Sequence, residues 1–300
     1  MKKLNKVLTL SAAVLSLGFG LTGFTSCGGT SETTGSTSST GTSGTTVIYV
    51  AASDVPHAEI LNECVKGIVE KQGYTLKVST IDWTTQNDAV ANGDYDANYF
   101  QHIPYLSTYE GKVELTATCK VHYEPLGIYK GKASSLTGVT SVEICDDDSN
   151  AIRALQLLKA KSVITGDLPI DAAGEKLTFE GKTWTSENGV TVYLIAENLL
   201  AQSRTDYDIA CLPCNTALTG NVASTERLAV EDDPTQVSAK ANVLAVRKYD
   251  YLNDTSYKTK IDVLTDALLS SEVSSYVATK YSGNITCDSS TQIDLRSSIK

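Results

Sequence analysis

Cys211-Leu212-Pro213-Cys214 is the string whose spacing points most directly to chemistry. Cys-x-x-Cys serves thiol–disulfide oxidoreductases and metal sites. A catalytic pair needs its first cysteine near a helix N-terminus, which lowers the thiol pKa. Cys211 instead follows the apolar run 207–210, although a helix starting at Asn215 or Thr216 keeps the oxidoreductase as a second function class. After Cys27 the chain holds six cysteines, Cys64, Cys119, Cys145, Cys211, Cys214 and Cys287. In an exported protein these permit up to about three disulfides in roughly 15 connectivities, which sequence does not rank. The three histidines, His57, His102 and His122, show neither His-x-x-x-His spacing nor a cysteine partner at metal-site spacing, so no metal and no cofactor are expected. No Gly-rich phosphate loop, nucleophile elbow or His-Glu-x-x-His string is present.

Three polar positions suggest binding instead. With Ser149 or Asn150 as the N-cap of a helix, Arg153 falls in its first turn, where the positive end of the dipole disfavours a cation. An anion bridging the helix N-terminus and the Arg153 guanidinium resolves the conflict. A surface pair with Asp146, Asp147 or Asp148 is the alternative. Asn215 and Asn242 each adjoin a strand end, where open α/β sheets hold ligands, though Asn is also common in turns.

The elements around these residues alternate. A β-branched strand at 47–52 is followed by a helical pattern in which Ile60, Leu61, Cys64, Val65, Ile68 and Val69 share a face and Gly73 supplies a left-handed stop. Further strands are expected at 75–81, 114–119, 126–129, 190–195, 208–212 and 242–247. Helices are expected at 86–92, 150–162, 256–269 and 272–280. This alternation predicts α/β architecture with parallel sheets covered on both faces.

The N-terminal segment reads as an address. Lys2, Lys3 and Lys6 precede an apolar run from Val7 to Leu21, which makes residues 1–26 a signal peptide. The string Leu21-Thr22-Gly23-Phe24-Thr25-Ser26-Cys27-Gly28 resembles a bacterial lipobox, with Cys27 as the lipidated residue and Phe24 in place of the usual Leu. Residues 28–46 comprise eight Thr, five Ser, five Gly and Glu32. With nothing apolar to bury, they form a flexible linker spanning about 24 Å. The 300-residue chain carries a formal charge of −10, and −13 remains once the three leader lysines are gone. So acidic a chain repels phosphate backbones, and nucleic acid is not an expected partner. Met1 is the one methionine in the sequence.

Pro56-His57-Ala58-Glu59-Ile60-Leu61 and Asp96-Ala97-Asn98-Tyr99-Phe100-Gln101-His102-Ile103-Pro104-Tyr105-Leu106 resemble the most distinctive segments of the NlpA family of methionine-binding lipoproteins. The likeness continues through Lys120-Val121-His122-Tyr123-Glu124-Pro125-Leu126-Gly127-Ile128-Tyr129 and Asn150-Ala151-Ile152-Arg153-Ala154-Leu155. It resumes at Asn215, at Ala241-Asn242-Val243-Leu244-Ala245-Val246-Arg247, and at Lys280-Tyr281-Ser282-Gly283. It is weakest between residues 169 and 189. Leu212-Pro213-Cys214 also departs from the usual Asn and Gly before Asn215.

The resemblance implies a two-lobed periplasmic-binding-protein fold (type II-like) with two crossing segments, placed near 125–130 and 240–247. Residues 47–127 plus 245–300 would form one lobe and 128–243 the other. It implies a monomer, without catalysis, tethered by lipid on Cys27 to the extracytoplasmic face of the cell membrane and delivering L-methionine to an ABC permease. A dipeptide or another apolar amino acid is the alternative cargo. The ligand carboxylate is then expected on Arg153 and Asn150, and the ammonium on the side-chain oxygens of Asn215 and Asn242. Trp83, Tyr99, Phe100, His102 and His122 are expected to wall the slot for the thioether, which gains from aromatic contact.

Overall fold

The computed structural model describes residues 46–281 and 284–300; the signal, Cys27 and the linker expected before Thr46 lie outside them. β1 (Thr46–Ala52) leads into π-helical turns at Asp54–Ala58 and Leu61–Val65 and then α1 (Lys66–Lys71). The face read from sequence is the buried one: Ile60, Leu61, Val65 and Val69 are all fully buried. Gly73, at φ +84°, ends the segment in the left-handed region expected of it.

β2 (Tyr74–Thr80), α2 (Trp83–Ala91), β3 (Ala97–His102), α3 (Ile103–Leu106) and β4 (Leu115–His122) follow. The chain then enters a second region with β5 (Gly127–Lys130), β6 (Ser141–Cys145), α4 (Asp148–Ala160), β7 (Thr183–Thr185), β8 (Thr191–Ile195), α5 (Glu197–Ser203), β9 (Ile209–Leu212), α6 (Cys214–Thr219) and β10 (Arg227–Val230). It returns through α7 (Pro234–Ala239) to β11 (Asn242–Arg247), α8 (Lys248–Asn253), α9 (Thr255–Leu268), α10 (Ser271–Tyr281) and β12 (Ile293–Asp294).

Two six-stranded sheets result, ordered β12-β4-β11-β3-β1-β2 and β10-β5-β9-β6-β8-β7. Both are mixed, which corrects the expectation of parallel sheets. β3-β1-β2 and β9-β6-β8 are parallel, and the remaining pairings run antiparallel. The cause is the passage between sheets: β11 arrives from the second region and slots antiparallel between β3 and β4. The passages between the sheets overlap the expected 125–130 and 240–247 at 125–126 and 240–241. Gly127 already pairs with Leu212 in the second sheet, and Asn242 with His102 and His122 in the first. The segments connecting the sheets are residues 123–126 and 231–241. One apolar cluster, including Ile48, Tyr99, Leu244 and Ile261, belongs to the first sheet. Two others, around Ile128, Leu155 and Ile209 and around Leu200 and Leu212, belong to the second.

β3 and β6 escaped the sequence reading because polar residues interrupt them. All six β3 side chains are buried, made tolerable by an amide network. Asn87 Nδ2 donates to Gln101 Oε1 (3.0 Å), Asn98 Nδ2 to Asn87 Oδ1 (2.8 Å) and Gln101 Nε2 to Asn98 Oδ1 (2.9 Å). In β6, Glu143 is fully buried and accepts from the Ser203 hydroxyl at 2.6 Å.

Candidate functional site

A cavity gathers the carboxyl ends of strands from both sheets, the usual ligand position in open α/β sheets. The first sheet and its helices supply Ser53 after β1, Trp83 at the start of α2, Phe100, Gln101 and His102 from β3, and Tyr105 from α3. The second supplies Asn150 and Arg153 from α4, Glu197 from α5, and Pro213 and Asn215 at the β9–α6 junction. Glu124, from a crossing segment, and Asn242, which opens β11, complete the lining. Three consecutive β3 residues reach one cavity because the β3–β11 register slips at Phe100, between the pairs Val243–Gln101 and Leu244–Tyr99.

Seven of the nine expected ligand residues therefore meet: Trp83, Phe100, His102, Asn150, Arg153, Asn215 and Asn242. Tyr99 and His122 do not line the cavity. Both are fully buried, the Tyr99 hydroxyl hydrogen-bonds His122 Nδ1, and their rings stand edge to face. Tyr105 stands in the wall where they were expected, its ring 5.4 Å from Trp83 and 5.8 Å from Phe100. Its backbone N–H donates to His102 Nδ1 at 3.1 Å. Burial, together with the charges of Arg153 and Lys240, lowers the His102 pKa to about 3, so this wall is uncharged at neutral pH.

Arg153 departs from expectation in two ways. The N-cap of α4 is Asp147, not Ser149 or Asn150; its carboxylate accepts Asn150 N–H at 2.9 Å and Asn150 Nδ2 at 3.0 Å. Arg153 thus lies past the first turn, and the conflict with the helix dipole read from sequence does not arise. Nor does it pair with Asp146, which takes Lys182, or with Asp148, which accepts Leu177 N–H. Its partner is Glu231, 78 residues away: Nε lies 2.7 Å from both carboxylate oxygens, and Nη2 reaches Oε2 while also donating to the Glu124 carbonyl at 2.6 Å. Glu231 further accepts Tyr123 O–H (2.7 Å), Leu126 N–H (3.0 Å) and Lys240 Nζ (3.2 Å). Burial would raise its pKa, but the bonds and charge of Arg153, with Lys240, hold it at about 2. Nε and Nη2 are thus committed to Glu231 and the Glu124 carbonyl, and Arg153 also lines the cavity.

Glu197 and Glu124 give the cavity an acidic side that sequence reasoning missed. Glu197 accepts Thr216 O–H at 2.6 Å and Asn215 Nδ2 at 3.3 Å, and burial raises its pKa to about 7. Glu124 Oε1 lies 2.9 Å from His122 Nε2 and 3.2 Å from His57 Nε2. The three residues are a group with metal-ligand donor types, and spacing along the chain concealed it because the two histidines come from separate elements. Tyr105 and Glu124 could have been found, since both lie inside the quoted motifs. Glu231 carried no such signal.

The Cys-x-x-Cys string is split between cores. Cys211 packs in a cluster of the second sheet and Cys214 in that of the first. Both are buried free thiols, and burial raises each pKa far from the range of a reactive thiolate. The other described cysteines are free thiols as well. No helix among the described residues is long and apolar enough to cross a membrane.

Comparison with known proteins places this geometry. The NlpA lipoprotein family model matches residues 48–287. Methionine-binding lipoprotein MetQ of Bacillus subtilis is 30% identical over 247 residues, covering 79% of this chain and 86% of that protein. Among solved structures, a nutrient binding protein from Burkholderia cenocepacia bound to methionine superposes with a TM-score of 0.69 at 26% identity, covering 80% of this chain and 99% of that one. A periplasmic substrate-binding protein of an ABC transporter from Coxiella burnetii gives 0.68 at 26% identity, covering 80% and 100%. The family match over most of its length, with the relative from Bacillus subtilis and the ABC-transporter structure, makes this chain a member of the NlpA lipoprotein family: a substrate-binding lipoprotein of an ABC transporter, not an enzyme.

Proposed function

We propose that the protein captures L-methionine in this cavity and delivers it to an ABC permease. In this reading it works as a monomer held by lipid on Cys27 at the extracytoplasmic face of the membrane, with lobes built on the two sheets. The observation that carries the reading is the juxtaposition of an uncharged aromatic wall, Trp83, Phe100 and Tyr105 with His102, and a polar end formed by Arg153, Asn150, Asn215 and Glu197. A thioether gains about 0.3–1.5 kcal/mol from aromatic edges. The carboxylate goes to Arg153 Nη1. Asn215 gives its Nδ2 to Glu197, so its Oδ1 and the Glu197 carboxylate receive the ammonium. The methionine-binding relatives support this assignment.

A dipeptide is the second reading. A groove lined by Pro104, Asp148, Ser149 and Lys240 shares Tyr105 and Arg153 with the cavity and offers room beyond the carboxylate position. Native mass spectrometry of the purified protein, followed by calorimetry on refolded ligand-free material, tests both. Retained methionine, displaced by leucine at least tenfold less readily, is expected. A retained dipeptide mass, or equal displacement by leucine, would overturn the methionine assignment.

A further inference from the structure

His122 closes β4, and the chain stays extended through Tyr123, which bridges antiparallel to Thr286. Side chains of an extended chain alternate, so His122 and Glu124 fall on the same side of it. His57, in the π-helical turn after β1, comes against them, with its ring centroid 5.0 Å from that of His122. Both rings are fully buried and Glu124 is nearly so. Glu124 Oε1 lies 2.9 Å from His122 Nε2 and 3.2 Å from His57 Nε2, and the three donor atoms all lie within 4.8 Å of one another. Two imidazoles and a carboxylate are a donor set for borderline divalent ions such as zinc. An ion with bonds of about 2.0–2.1 Å in a tetrahedral array spaces its donors by roughly 3.3 Å. Two of the three spacings are within a few tenths of an ångström of that, and rotation of the rings adjusts the third.

The surroundings point the same way. The far nitrogen of His122 is held by the Tyr99 hydroxyl, as the free nitrogen of a metal-bound imidazole usually is. Glu124 Oε2 is buried without a hydrogen-bond partner. Among the described residues the Glu124 carboxylate makes ion-pair contacts only with the two rings, while Arg153 donates to its backbone carbonyl. An unmet oxygen and a buried acid short of positive charge are both relieved by a divalent ion, which displaces a proton where one is held. Glu124 also lines the cavity, which gives the ion a way in and a free position on that side. His57 Nδ1 has no partner, so its proton stays unmet once Nε2 binds metal. That cost sets the expected affinity in the micromolar range, weaker than a structural zinc site.

We infer that His57, His122 and Glu124 bind one borderline divalent transition-metal ion, of the zinc class, behind the cavity wall, with a coordination position open toward the cavity. This goes beyond the methionine reading and does not depend on it. It reverses the expectation from sequence that no metal is bound, because the donors converge only through the fold.

Three measurements test it. Nitrogen NMR of the purified protein, stripped of metal and titrated with magnetically active cadmium, reads the site without relying on any variant's folding. Coupling of the ion to a ring nitrogen of His57 and of His122, and none to His102, is expected at one ion per chain. Cadmium held only by thiols or surface carboxylates, with no coupling to those two rings, would overturn the inference. Calorimetry with zinc alone should show one ion per chain at micromolar affinity or tighter. Glu124→Gln keeps the shape and removes the anionic ligand, so zinc should bind about 30-fold or more weakly. Unchanged affinity in that variant would remove Glu124 from the site and overturn the inference. Finally, saturating zinc should change the L-methionine affinity by about tenfold or more, since the ion's free position faces the cavity. Equal affinity with and without zinc would overturn the open position. A protein that couples cadmium to both rings yet binds no methionine would uphold the metal site and sink the methionine reading.

Discussion

Arg153 and Glu231 are each nearly buried, with side chains 5% and 8% exposed, and this makes the arginine a structural residue as well as a candidate ligand contact. Removing one member of a buried pair leaves the other charge uncompensated, at about 3–5 kcal/mol. Arg153→Ala should therefore destabilise the protein by about that much, read as a shift in urea midpoint, before any effect on binding is considered. Adding Glu231→Gln to Arg153→Met removes both charges, and the pair should show a coupling of at least ~1 kcal/mol in a double-mutant cycle. Strictly additive losses would mean that the two groups do not stabilise each other. Arg153 was legible in the sequence as a residue needing an anion; which anion was not. The sequence shows a run of nearby acids, Asp146, Asp147 and Asp148, whereas the partner that wins is set by topology. The return crossing brings Glu231 against α4, where it also takes Tyr123 and Leu126.

Helix α4 shows the same limit at the scale of an element. Its existence follows from the spacing of Ala151, Ile152, Ala154, Leu155, Leu157 and Leu158, all buried. Its start was ambiguous because Asp146-Asp147-Asp148-Ser149-Asn150 offers five capable caps in a row. The fold chooses Asp147, whose carboxylate takes the Asn150 N–H and side chain and also the Cys145 thiol at 2.8 Å. Asp147→Ala should cost about 0.5–2 kcal/mol, a few degrees in melting temperature. It also frees the Asn150 side chain, so methionine affinity should fall with stability. A variant as stable as the wild type would show that Ser149 or Asn150 can take over the cap. β3 is the complementary case. Its backbone role was hidden by Asn98, Gln101 and His102, which a pattern of alternating apolar residues does not accommodate, and buried amide pairing reveals why those residues belong in a strand.

At the scale of the whole molecule, buried titrating groups of opposite sense surround the cavity and the second sheet. His57, His102 and His122 have pKa values lowered to about 4, 3 and 3. An unfolded histidine takes up its proton near pH 6.5, so these residues withdraw stability as pH falls from about 6.5 toward 4. Glu143 and Glu197 are raised by burial to about 7. Folding then favours their protonated forms, and they add stability as pH falls from about 7 to 4.5. The two sets oppose each other between pH 6.5 and 4.5, which predicts a shallow profile there. Below about 4.5 the raised carboxyls are protonated in both states, while the histidines and Glu231, held at about 2, still favour the unfolded chain. A steep loss of stability should follow. Glu197→Gln isolates one side of the balance in ligand-free protein. At pH 8 the wild type holds a buried charge that the variant lacks, so the variant should melt higher. Near pH 4.5 the wild-type carboxyl is protonated in the fold, and the difference should shrink toward zero. A gap in melting temperature that is constant across that range, or that widens toward acid, would show that Glu197 is not the group whose charge the cavity resists.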